Sequence, residues 1–200
     1  MSMVGNIPNY NKIDVLRTFL LIEEGISRVE ITSKLSLGEG TTRTILDILK
    51  QKRLVSSSKQ GHELTKKGES LKQEFYKEVG GLKSIGLTEL NPLFKKGVVV
   101  KRFDTKKESV ELRDIAIKNN AEGALILRYE KGLEVPSSDI NFFRDFRKSY
   151  EEVLRTFDMK PSNTLVVVFA KSQQQATNAL LAVVVEMNTK VKKVHESLVS

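Results

Sequence analysis

The sequence predicts an α+β protein of two domains, and three observations carry that prediction. Between Ile13 and Gly68, helical stripes and a Gly-centred hairpin follow one another without a long gap. After Gly80-Gly81 the pattern changes to β-rich runs alternating with helical stripes. From Thr177 to Leu198, apolar residues recur at alternating spacings of three and four. The expected division is 1–80 and 81–200, the second part holding a smaller-sheet α/β domain with a long C-terminal helix.

The segment IDVLRTFLLIEEG places Val15, Phe19 and Ile22, with Leu16 and Leu20 beside them, on one side of a helix that Gly25 should end. Ser27 stands three residues before Glu30, the capping-box spacing, so RVEITSKL opens as a short second helix. Ser36-Leu37-Gly38 supplies a turn. GEGTTRTILDILKQKR then continues as a helix with Thr42, Ile45, Leu46 and Leu49 inward. LVSSS and HELT are short β-prone pieces flanking Lys59-Gln60-Gly61, with Gly where a positive φ is needed. Helix, capped helix, turn, helix and hairpin in this order make a winged helix-turn-helix.

Duplex recognition requires a helix in the major groove and a second element on the backbone, and this order supplies both. With the inward set fixed, Glu39, Gly40, Thr41, Arg43, Thr44 and Asp47 fall on the outer face. Arg43 suits a guanine edge or a phosphate, and the hydroxyls of Thr41 and Thr44 suit phosphate oxygens. Lys59, Gln60 and His62 offer the same from the wing. Any one of these residues alone reads equally as ordinary solvated surface; only the order of elements is specific.

The stretch LSLGEGTTRTILDILKQKRLV resembles the recognition-helix region of winged helix-turn-helix regulators, including the MarR-like group, and the resemblance covers roughly the first third of the chain. Arg53 departs from that pattern, which has Gly at the helix end before the first wing strand, so the last helical turn is expected to differ. Acidic Glu39 and Asp47 also depart from it, since they repel phosphates.

Composition agrees. The 200 residues carry a net charge of +8, and the pI is about 9.5, a balance that favours polyanionic partners. From Gly38 to Gly68 seven Lys or Arg face three acids, so the putting of a duplex against this segment meets a basic surface, although the C-terminal portion is positive too. The absence of cysteine removes disulfide scaffolding, thiolate catalysis and zinc ribbons, and His62 and His195 lie far apart without a ligand pattern, so no metal and no cofactor are expected. No apolar run reaches the length of a membrane span and MSMVGNIPNY lacks a signal arrangement, so a cytoplasmic protein is expected.

TKKGESLKQEFYKEVGG predicts a linking helix over 65–79, with Leu71, Phe75 and Val79 on one side and Gly80-Gly81 as a flexible joint. Beyond it, GVVVKRF, ALILRY and TLVVVFA are β-rich, the last apolar enough to be a central strand. SVELRDIAIKNN is expected to bury Val110, Leu112, Ile115, Ala116 and Ile117. DINFFRDFRKSYEEVLRTF is expected to form one helix with an aromatic seam of Phe143, Phe146, Tyr150, Val153 and Phe157, used in core packing.

ELRDIAIKNNAEGALILRYEKGLEVP resembles the C-terminal domain of archaeal proteins that pair it with an N-terminal winged helix. Arg113, Asp114, Ala121, Gly123 and Pro136 match that pattern, while Asn120 stands where Gly is usual and can keep the left-handed turn. The resemblance implies an archaeal transcriptional regulator and supplies neither ligand nor catalytic residue. Glu111, Arg113 and Asp114 point in different directions and make no catalytic constellation, so the protein is not expected to be an enzyme. A fused riboflavin-kinase-like enzyme is an alternative whose nucleotide-binding signatures are not found here. If a ligand binds, Lys101, Arg102 and Arg128 at strand ends, with Arg113, favour a small anionic effector.

In the last segment Thr177, Leu180, Val184, Met187, Val191, Val194 and Leu198 form a coiled-coil-like seam, which suggests a homodimer; the alternative is that the stripe folds back on its own sheet. ALLAVVV within it is apolar on every side and should be buried, as helix or as strand. A dimer would set two recognition helices about one duplex turn apart, and an effector in the second domain would act through the 65–79 helix. The rival reading makes the winged helix a protein-interaction module in a transcription or repair assembly, which Glu39 and Asp47 favour.

Overall fold

The structure, a computed structural model, describes residues 10–101, 103 and 108–200. It divides into two compact units: residues 1–73 with 195–200, and residues 74–194. The first unit opens with α1 (Lys12–Leu21), α2 (Arg28–Leu35) and α3 (Glu39–Gln51), followed by a hairpin of β1 (Val55–Ser58) and β2 (Gly61–Leu64). Helix α4 (Lys66–Glu78) then crosses the division between the units.

Local chemistry accounts for the helix ends. Asn11 and Asp14 form a reciprocal capping box at the start of α1, and Ser27 and Glu30 form another at α2, the second foreseen from its spacing. Helix α1 stops at Leu21, before Gly25, because Ile22 turns to extended backbone. At the end of α3, Arg53 takes the left-handed conformation, φ 59°, in place of the Gly usual there, so the last turn keeps the form that Gly would give it. The Arg53 amide donates to the Lys50 carbonyl at 2.8 Å and the Leu54 amide to that of Leu49 at 3.0 Å, which is the Schellman arrangement. Leu49 and Leu54 are both buried, so their packing holds the turn that Gly would adopt at lower cost. Ser36 and Asn120 end helices in the same left-handed conformation.

Of the residues the periodicity predicts for the core of the first unit, Val15, Leu16, Phe19, Ile22, Ile45, Leu46 and Leu49 are buried, while Leu20 is only half-buried. Ile31 of α2, which the stripes did not single out, is buried as well, and Thr42 lies inward with its hydroxyl joined to that of Thr32 at 3.1 Å. Ile26 adds a single bridge to the hairpin, exchanging backbone hydrogen bonds with His62 at 3.1 and 2.8 Å.

The second unit contains a five-stranded, wholly antiparallel sheet in the order β3-β4-β7-β5-β6. Its elements are β3 (Lys83–Ser84), β4 (Phe94–Val100), α5 (Ser109–Lys118), β5 (Gly123–Tyr129), β6 (Leu133–Glu134), α6 (Phe142–Asp145), α7 (Arg147–Thr156), β7 (Asn163–Ala170), α8 (Gln173–Met187) and α9 (Thr189–Val199). Strand β7 is the central strand expected from TLVVVFA, and the β4–α5–β5 crossover leaves the place between its strands for β7. One sheet face gives Val99, Leu127, Leu165 and Val167 to a core with Phe142, Val153 and Phe157, and the other is covered by α5 and α8.

Residues 140–157 form two helices broken at Phe146, whose φ of −139° leaves the helical region. The break turns Phe142 into the core and leaves Phe143 exposed, stacked edge-on against Tyr150 at 5.1 Å and under the Arg147 guanidinium. On α5, which packs on α8, only Leu112 and Ala116 are buried, while Val110 and Ile117 are exposed: one helical face cannot hold all five residues, and residues 110 and 117 lie off the face that carries 112 and 116. Gly80 is not a free joint, since its amide donates to the Val99 carbonyl at 2.8 Å.

The C-terminal helical segment is present and divided at Asn188, which turns extended and caps α9 by accepting from the Lys190 and Val191 amides at 3.0 Å each. The seam residues Leu180, Val184, Met187, Val191, Val194 and Leu198 are all buried within the chain, and Thr177 is half-buried. The stripe is used in the chain's own packing, which removes it as the basis for a homodimer. ALLAVVV is helical, lying wholly inside α8.

Candidate nucleic-acid interface

The inward set Thr42, Ile45, Leu46 and Leu49 fixes the rotation of α3, and its opposite face carries the predicted residues. Arg43 and Thr44 are exposed and Thr41 is half-buried. Thr44 donates its hydroxyl to the Gly40 carbonyl at 3.0 Å, so contact with an anion requires that hydroxyl to turn outward. Gly38, at the N-cap, brings no side chain over the first turn, which leaves the positive end of the helix uncovered by a capping group.

Both acids on this face are held by cations. Glu39 Oε1 accepts from Arg28 Nη2 at 2.9 Å and lies 3.9 Å from Arg43 Nη2. Asp47 pairs with Lys50 at 2.8 Å. Such exposed pairs contribute only about 0–1 kcal/mol, so Arg43 can leave Glu39 for a phosphate or a base at little cost. Arg28 and Lys50 were not among the residues singled out from the sequence. The Ser27 capping box, which makes Arg28 the first residue of a helix, was the available signal for the former.

Lys59 and Gln60 form the two-residue loop of the hairpin, exposed and held by the Gln60 amide donating to Ser58 Oγ at 3.0 Å. His62 lies within β2, not in the loop. Its Nδ1 is 2.7 Å from Ser57 Oγ, and its ring is half-buried. Desolvation pushes its pKa below the ordinary histidine value, and the positive charges of Lys50 and Arg28 push the same way against a smaller opposite effect of Asp47. His62 is therefore neutral near pH 7 and belongs electrostatically with the α2–α3 cations.

The proposed effector residues do not form one site. Lys101 lines a hollow of about 410 Å³ beside Gly80, while Arg128 lines another of about 620 Å³ and packs on the Phe103 ring at 4.9 Å. In that larger hollow Arg128 is accompanied by Glu108 and Glu134, an unfavourable setting for an anion. Arg113 is exposed on α5 and lines neither hollow, and Arg102 lies outside the described residues. Among the described residues there is no group of three His, Cys, Asp or Glu able to hold a metal, and no helix is long and apolar enough to cross a membrane.

Comparison with known proteins follows the same two parts. Residues 12–70 match the family model for the PH0730-like, N-terminal domain, and residues 94–187 match that for a domain of unknown function, DUF4443. No curated protein matches the chain. Among solved structures, the hypothetical protein PH0730 from Pyrococcus horikoshii OT3 superposes with a TM-score of 0.72 at 27% identity, over 92% of this chain and 99% of that one. The chain is thus similar to PH0730 over nearly its whole length, with a first part resembling the PH0730-like N-terminal domain and a second resembling DUF4443.

Proposed function

We propose that the first unit is a winged helix-turn-helix that binds double-stranded DNA, with α3 in the major groove and the β1–β2 hairpin as the wing, and that the protein regulates transcription from the cytoplasm. The observation that carries this reading is the division of α3: its apolar face is wholly occupied by the core, and its outer face presents Arg43, Thr41 and Thr44 with each neighbouring acid neutralised. In this role Arg43 reads a base edge or grips a phosphate, and Lys59, Gln60 and His62 hold the backbone. The second unit is assigned an effector-binding role and no reaction.

The test is fluorescence anisotropy with the chain's own upstream DNA and a scrambled duplex, across a salt series, with Arg43→Ala alongside. Preferential binding that weakens steeply with salt and is lost in the variant supports the reading. Absence of duplex binding at low salt rejects it.

A second reading makes the same face a protein-docking surface. It is favoured by Val29, 74% exposed on α2 and next in sequence to Arg28 of the Arg28–Glu39 pair. A complex formed there would depend weakly on salt.

A further inference from the structure

A hollow of about 410 Å³ in the second unit is lined by Gly80, Gly81, Lys83, Val99, Lys101, Phe157, Asp158, Lys160 and Asn163. That volume lies in the range of small-ligand sites, roughly 300–1,000 Å³. Three ammonium groups face one carboxylate, so the lining is net positive. Lys83 Nζ donates to the Thr156 carbonyl at 2.7 Å, Lys101 Nζ to that of Tyr76 at 3.5 Å, and Lys160 Nζ pairs with Asp158 at 3.4 Å. An ammonium has three donors, so none of these contacts exhausts its lysine, and the exposed Lys160–Asp158 pair can be left at little cost.

The two glycines supply a separate observation. A Cβ on Gly81 would meet nothing within 4 Å, and one on Gly80 would meet only ordinary contacts, the nearest being the Val99 carbonyl at 3.5 Å. Neither has a positive φ. Backbone conformation and packing therefore require glycine at neither position, yet both border the hollow and keep its edge free of side chains. Asn163, nearly buried, accepts from the Lys160 amide through Oδ1 at 3.1 Å, which fixes the loop carrying Lys160. Val99 and Phe157 provide the apolar wall.

We propose that this hollow binds the phosphate groups of a small metabolite, with Lys83, Lys101 and Lys160 supplying the charge and Gly80-Gly81 the close approach. Lysines gather around a compact, multiply charged head as point charges, whereas a single carboxylate would be served by one arginine fork. The assignment is independent of duplex binding by the first unit.

Calorimetric titration of the full chain with inorganic pyrophosphate tests it. Saturable binding is expected, weakened about tenfold or more, a difference of about 1.4 kcal/mol, both by the combined Lys83→Gln, Lys101→Gln and Lys160→Gln variant and by Gly81→Leu, which adds a bulky side chain at the edge of the hollow without altering charge. Replacing Lys118, Lys131 and Lys148 by Gln removes the same charge from exposed positions, and Arg43→Ala removes a cation of the first unit; both should leave affinity within about twofold. Failure of the wild-type chain to saturate, or equal loss in either control, overturns the proposal. Weakened duplex binding in the hollow variants without pyrophosphate binding would assign these lysines to nucleic acid instead and also overturn it.

Discussion

Arg28 and Glu39 join the start of α2 to the start of α3, Nη2 to Oε1 at 2.9 Å, and the same carboxylate oxygen lies 3.9 Å from Arg43. Glu39 thus determines how much positive charge the outer face of α3 shows. Glu39→Gln should tighten duplex binding and steepen its dependence on salt, because it frees two guanidinium groups for phosphates. Arg43→Ala should weaken binding by about 1–3 kcal/mol if the side chain reads a base. Anisotropy titrations of the two variants check both; weaker binding by Glu39→Gln would show that the carboxylate itself takes part in recognition.

If the first unit binds duplex DNA through this face, His62 should make that binding dependent on pH. Burial and the cations Lys50 and Arg28 hold its pKa below the ordinary value in the free protein, and a neighbouring phosphate would raise it. Binding then takes up a proton, so affinity should increase as pH falls through the region where His62 titrates. Folding has the opposite sign. A histidine with a depressed folded pKa contributes stability that is present above its unfolded value, about 6.5, and is lost as pH falls through the folded value. His62→Gln should flatten both profiles, measured by anisotropy and by urea denaturation; an unchanged slope of affinity against pH would remove the histidine from the interface.

Gly61 is the residue on which the hairpin depends most. Its φ is +130°, and a Cβ there would lie 2.5 Å from the Gly25 carbonyl oxygen and 2.8 Å from that of Ile26. Conformation and space both demand glycine, because the chain between α1 and α2 passes directly against β2. Gly61→Ala should cost about 3 kcal/mol or more, read from the denaturation midpoint. A loss under about 1 kcal/mol would mean that the Gly25–Ile26 strand yields. Gly68 is under a comparable constraint, with the Leu54 carbonyl oxygen 2.2 Å from its missing Cβ.

What could be read in advance was whatever repeats or caps locally. Helix α2 has the limits its Ser27–Glu30 spacing implied, and the four inward residues of α3 are those buried. What could not be read was set by contacts distant in sequence. The stripe from Leu180 to Leu198 continues across Asn188 in perfect period, yet Asn188 is drawn out of the helix, capping α9 while its Nδ2 donates to Glu78 Oε2 at 3.4 Å. Phe142 and Phe143 are equally aromatic neighbours, and the break at Phe146 decides which enters the core. In the candidate interface the outward residues followed from helical geometry, but the neutralisation of Glu39 came from Arg28 on another helix, which spacing alone does not show.

The first helix also buries what periodicity would have kept outside. Asp14 and Arg17 are 6% and 5% exposed, joined at 3.0 Å, and Arg17 Nη2 donates to the Leu35 carbonyl at 3.1 Å, tying α1 to the end of α2. Asp14 meanwhile accepts the Asn11 amide at 3.0 Å. Arg17 Nε has no partner among the described residues, so the pair is incompletely compensated for its burial. Arg17→Met keeps much of the apolar stem but leaves Asp14 buried and unpaired, and should cost about 3–5 kcal/mol. Adding Asp14→Asn should recover part of that loss, since a neutral amide needs no countercharge and can still accept the Asn11 amide. Urea denaturation of the two single variants and the double variant measures the coupling between them. Strict additivity would mean that the ion pair contributes nothing and that Arg17 acts only through its bond to Leu35.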